Sequence, residues 1–131
     1  MPTRISEYAW GEFRLRGEGL RISCTRYLPR GIRKQEYARK DFFDVWLPTL
    51  APSRKLIGWA KRRDLHEGKI LDEFFRRYRL EMRKTDPCQV IRLISKLVKK
   101  TPVSIGCSCN HRRCHRFELL KFIRAAAVGK F

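Results

Sequence analysis

The stretch "DPCQVIRLISKLVKKTPVSIG", residues 86–106, decides the fold. Asp86 is placed to cap a helix and Pro87 suits its first turn. Val90, Ile91, Ile94, Leu97 and Val98 recur at helical spacing and make one apolar face. Lys99 and Lys100 complement the negative end of the helix dipole. "PVSIG", 102–106, then reads as a short buried strand. A cysteine-rich loop follows, and "HRFELLKFIRAAA" makes a last apolar helix. A helix, a strand and a helix in succession imply an α/β domain with a mostly parallel sheet.

Working towards the N-terminus, two more helices are predicted. Ser53 caps one over 53–63, with Leu56, Ile57 and Ala60 inward. The other, over 70–84, carries Leu71, Phe74, Phe75, Tyr78 and Met82 as its stripe. Phe74, Tyr78, Ile94 and Leu120 are expected in the core. "FFDVWL", 42–47, is a short aromatic stretch of undecided type. Residues 20–27 place Leu20, Ile22 and Cys24 on one face, as a strand would. Residues 11–18 alternate weakly. They are expected to pair with that strand as an N-terminal hairpin, so 1–18 is an extension or hairpin strand on a single compact domain spanning 1–131.

The chain has 131 residues and is 43% hydrophobic, which suits one domain with a real core. No apolar run of about 18 residues is present, so no membrane span is expected. The charged N-terminus lacks a signal-peptide core. A cytoplasmic protein is the expectation, with no cofactor and no obligate protein partner. The net charge of +18 attracts nucleic acid or other phosphorylated ligands. A solvated basic surface is the bland alternative. The single Asn and two Gln are in keeping with thermophilic composition.

Function concentrates in "GCSCNHRRCHRFELL", 106–120. It lies between a strand end and a helix start, where α/β proteins bind ligands and helix N–H groups favour anions. Cys107, Cys109 and Cys114 support a redox pair or disulfide. Cys114, with His115 beside it, is the candidate catalytic thiol, because arginines and a helix N-terminus lower thiol pKa values. His111 and His66 are other partners for it. Four zinc donors within nine residues, two of them adjacent, depart from the usual separated knuckles, so no stoichiometric zinc is expected. Reduced cysteines packing a loop remain a further reading. For an anion, Arg26 and Arg30 after the early strand and Arg112, Arg113 and Arg116 after the late one supply forked donors. If the two strands are parallel neighbours, both sets open on one edge, with Arg26 and Arg30 facing Arg116. Trp10, Tyr27 and Trp59 are candidate stacking rings.

These motifs also resemble a family. "RYLPRGIRK" at 26–34, Trp46, "LAPS" at 50–53, Trp59 and "EFFRRY" at 73–78 resemble, in order, the YeaO-like proteins of the domain-of-unknown-function 488 superfamily. Leu28 replaces a Trp of that pattern. Cys114, His115 and Arg116 match a Cys-His-Arg triplet of other branches. The resemblance implies a single α/β domain and no established activity.

Overall fold

A computed structural model describes residues 4–37, 41–65, 67–109 and 113–131. His66, His111 and Arg112 lie outside the described residues. Four strands form one parallel sheet: β1 (Ile5–Ala9), β2 (Leu20–Ser23), β3 (Val45–Trp46) and β4 (Val103–Cys107), in the order β1-β4-β2-β3. Among the described residues four α-helices accompany it: α1 (Arg54–Lys61), α2 (Gly68–Met82), α3 (Thr85–Leu97) and α4 (His115–Ala127). The α/β class and the single compact domain are as expected.

The centre of the sheet is β4, and its sequence explains why. All five of its residues are buried, which suits a parallel strand covered on both faces. Ile5 and Leu20 pair with Val103 from either side, and Ile22 pairs with Ile105. These side chains share the face covered by helices, where they join Ile91, Ile94, Leu119 and Ile123 in one core. On α2, Tyr78 is fully buried and its hydroxyl donates to the Leu50 carbonyl at 2.6 Å.

The opposite face is polar and crowded. Tyr8 lies over Gly106, where an added Cβ would come within 2.0 Å of the ring. The Tyr8 hydroxyl donates to the Phe42 carbonyl at 2.6 Å. Arg21, from β2, is fully buried and stacks 4.2 Å from the Tyr8 ring centroid. It is paired with Glu18 at 2.7 Å.

Several expectations are corrected. No N-terminal hairpin exists among the described residues: β1 and β2 flank β4 in parallel and do not pair with each other. The first strand is 5–9 rather than 11–18, and Phe13 and Leu15 stand 94% and 73% exposed in the connection. Apolar alternation there has nothing to pack on, because β4 offers the larger buried surface to both neighbours. On α2 Phe75 is buried, whereas Phe74, expected in the core, is only partly buried and packs against it. Tyr78, Ile94 and Leu120 are buried as expected. Asp86 sits within the first turn of α3 instead of capping it. Among the described residues no helix is long and apolar enough to cross a membrane.

Candidate functional site

The carboxyl ends of β2 and β4 lie side by side because the two strands are parallel neighbours. The loops that follow them therefore leave the same edge of the sheet. Between them is a cleft of 240 Å³. Thr25, Arg26 and Tyr27 line it from the β2 loop, and Cys107, Ser108 and His115 from the β4 side. Ile57 and Phe74 add apolar wall from α1 and α2.

Among the described residues, Arg26 is the one predicted arginine that lines this cleft. Its Nε donates to the Pro52 carbonyl at 3.0 Å and its Nη2 to that of Ala51 at 3.2 Å. Those bonds tie the β2 loop to the entry of α1. Arg30 is exposed on the same loop, with no ion-pair partner among the described residues. Arg113 pairs with Asp72 at 2.7 Å and lies over the Phe75 ring.

Arg116 is the clear departure from expectation. It is 4% exposed, its Nε meets Glu7 at 2.7 Å, and its Nη1 donates to the Cys109 carbonyl at 2.5 Å. A guanidinium withdrawn from water needs a carboxylate and satisfied donors, and β1 supplies the carboxylate. Arg116 is thus an internal tie between α4, β1 and the cysteine loop, and it does not face Arg26 and Arg30 across a gap. Glu7 carried no signal in the sequence that would have paired it with a residue 109 positions away.

The cysteines gather more tightly than the arginines. All five are unbonded. Cys107 Sγ is 3.7 Å from Cys109 Sγ, which is 3.3 Å from Cys114 Sγ. Neither distance is that of a disulfide, about 2.05 Å. Hydrogen bonding to Cys107 and Cys109, with burial, pushes the Cys114 thiol up. That reverses the lowered pKa expected from neighbouring arginines: Arg116 is engaged with Glu7, and the nearest groups are other thiols. Burial pulls the His115 imidazole down and keeps it neutral. Its Nε2 is 2.8 Å from the Cys24 carbonyl. A carbonyl only accepts, so Nε2 carries the proton and Nδ1 presents its lone pair, 3.6 Å from Cys114 Sγ. The Cys24 thiol, fully buried, donates to the Gly106 carbonyl at 3.1 Å. The donor atoms of Cys107, Cys114 and His115 all lie within 4.8 Å of one another.

The proposed stacking rings are dispersed. Trp10 donates from Nε1 to Ser23 Oγ at 3.2 Å. Trp59 is held between Arg63 and Arg77, at 4.4 and 4.5 Å from its ring. Only Tyr27, 44% exposed, borders the cleft.

The family model described as the active DUF488-N3 subclade, DUF488-N3a, matches residues 5–127. The chain belongs to this family, and the resemblance read from its motifs holds at the level of the superfamily. No curated protein and no solved structure matched the chain.

Proposed function

We propose that this member of the DUF488 superfamily binds a phosphate-bearing anion, a nucleotide or a phosphorylated nucleic-acid end, in the cleft at the carboxyl edge of its sheet. One observation carries the reading: the cleft lies between the loops after two adjacent parallel strands and is walled by Thr25, Ser108 and Arg26, whose Nε and Nη2 hold the Pro52 and Ala51 carbonyls and so fix the guanidinium in the wall. That is the general ligand position of open α/β sheets. Its 240 Å³ falls just below the usual range for small-molecule pockets, about 300–1,000 Å³. One nucleotide unit suits it better than a longer segment, and the net charge of +18 draws the anion in. Tyr27 offers a ring at the rim, and Arg30 a mobile-length side chain on the same loop.

Binding of a fluorescent nucleotide and of a short 5′-phosphorylated single strand, measured across salt concentrations, tests this. Each phosphate contact to the strand should contribute a log–log slope of about −0.7. Replacing Arg30 by Ala should weaken binding by about 1.5–3 kcal/mol, the range for a hydrogen bond to a charged group. Arg79→Ala, on the far part of α2, serves as the control. Equal affinity for both variants refutes the reading.

A second reading is a cysteine-dependent enzyme using Cys114 with a nearby histidine. The subclade's description as active favours it, and so does the presence of Cys107 and His115 in the same cleft wall. Its requirement is a reactive thiolate, which the raised Cys114 pKa opposes. Turnover abolished by alkylation and insensitive to salt would favour this reading over simple anion binding.

A further inference from the structure

By sequence spacing 107–115 is one tight loop, whereas its donors belong to two elements. Cys107 ends β4, while Cys114 and His115 open α4, and Cys109 lies between them in sequence. Cys107, Cys114 and His115 are buried with their donor atoms within 4.8 Å of one another. Cys109, partly buried and outside that group of three, has its Sγ 3.7 and 3.3 Å from the Cys107 and Cys114 sulfurs. Zinc bonds of about 2.3 Å to sulfur and about 2.0 Å to nitrogen make tetrahedral edges of about 3.8 Å between sulfurs and about 3.5 Å from sulfur to nitrogen. The Cys114 Sγ to His115 Nδ1 distance is 3.6 Å.

Packed neutral thiols would show similar sulfur spacings, so the histidine decides between the two accounts. Its Nε2–H is fixed on the Cys24 carbonyl at 2.8 Å, leaving the Nδ1 lone pair on the side of Cys114 Sγ, 3.6 Å away. A backbone carbonyl holding the far nitrogen of a ligating imidazole is the usual outer support of a metal site.

We propose that Cys107, Cys109, Cys114 and His115 hold one zinc ion through three thiolates and the His115 Nδ1. The three thiols release their protons to solvent as the metal binds, and nothing is oxidised or reduced. Three thiolates around a divalent cation leave one net negative charge. Arg116, with Nη1 3.8 Å from Cys109 Sγ and bonded to the Cys109 carbonyl, places a cation beside it. Four protein ligands make the site closed and structural. The metal ties the end of β4 to the start of α4 and so fixes the cleft wall formed by Cys107, Ser108 and His115. This inference stands independently of the anion-binding reading.

The test uses the full chain, purified without chelator under reducing conditions. Elemental analysis should find about one zinc per chain, a closed site being filled by one ion. Apoprotein, with all five thiols confirmed reduced, is then titrated anaerobically with cobalt(II). The expected result is one-to-one uptake with intense visible bands of tetrahedral cobalt and sulfur-to-metal charge transfer. Cys109→Ser, at the partly exposed ligand, should weaken uptake far more than the roughly 10–100-fold typical of an outer-sphere change. Cys88→Ser, outside the cluster, should leave it unchanged. Reduced apoprotein that takes up no cobalt overturns the proposal. So does Cys109→Ser protein with the affinity and spectrum of the parent chain.

Discussion

Removing the Glu18 carboxylate probes the polar face of the sheet. Arg21 is fully buried and Glu18 is 8% exposed. Two bonds join them, Nε to Oε2 at 2.7 Å and Nη2 to Oε1 at 3.2 Å. The guanidinium also donates to the Asp41 carbonyl at 2.7 Å and lies over Tyr8. The Asp41 carboxylate is 3.8 Å away and already engaged with Arg14. Glu18→Ala therefore leaves a buried cation with one backbone acceptor, one ring face and a shared, distant charge.

Breaking one side of a buried pair costs about 3–5 kcal/mol, and the residual pull of Asp41 places this case near about 3 kcal/mol. That is a large share of a domain stability of about 5–15 kcal/mol. Glu18→Gln keeps one acceptor and should cost less. The double variant Glu18→Leu/Arg21→Met removes both charges and should recover part of the loss, since a buried pair is often replaceable by apolar residues. Urea unfolding at neutral pH, followed by tryptophan fluorescence and circular dichroism, gives each value, compared at constant m. A Glu18→Ala protein within about 0.5 kcal/mol of the parent, the range of surface substitutions, would refute the dry, ion-paired face described here.

Four further outcomes are expected. Gly106→Ala forces a Cβ to within 2.0 Å of the Tyr8 ring; overpacking of about 1–3 kcal/mol should appear as a lower urea midpoint, and Tyr8→Phe should not relieve it. Phe75→Ala should destabilise by about 3–5 kcal/mol, and Phe13→Ala, at a ring 94% exposed, should leave the midpoint nearly unchanged. Hydrogen bonding to Arg14 holds the Asp41 carboxyl below the ordinary carboxylate range. Its stabilisation is therefore present above about pH 4 and lost as pH falls through the lowered value. Acid titration of stability should be flatter for Asp41→Asn, which also tolerates the positive φ of 58° there. Glu73, held at about 2 by Arg76 and Arg77, lies in a surface cluster with those two exposed arginines, so its part of the acid response should shrink in high salt.

The helices and β4 were legible because their patterns are local. The stripe of α3 and the apolar run of β4 each meet a neighbour whatever the rest of the chain does. The strand β1 was not legible, for a physical reason. "ISEYA" places Glu7 on the helix-facing side of the sheet, where alternation predicts an apolar residue. The charge is there because Arg116 arrives from α4 to meet it. Conversely, Phe13 and Leu15 advertised a strand and packed against nothing, since exposure of an apolar residue is no violation of folding physics. Arg21 shows the same blindness from the other side. A basic residue on a strand reads as solvent-facing until its partner Glu18 and the Tyr8 ring are seen around it.

The site divides along the same line. The place of the cysteine loop between β4 and α4 followed from the sequence, because a strand end, a loop and a helix start are consecutive there. Its chemistry did not, because which groups are spent internally depends on distant segments. Of the arginines expected to gather around an anion, Arg116 is consumed by Glu7, Arg113 meets Asp72 in an exposed pair, and Arg26 is anchored on the Ala51 and Pro52 carbonyls. Each is a cation whose partner lies more than twenty positions away. The sulfurs went the other way. Counting residues made the cysteines look too close for a tetrahedron, yet adjacency of Cys114 and His115 is no obstacle when one stands at the helix N-cap and the other in its first turn. The extended backbone at Cys114 turns its Sγ toward the end of β4. The helical backbone of His115 puts its ring between that sulfur and the Cys24 carbonyl. Donor direction is set by backbone state, which a spacing rule does not carry.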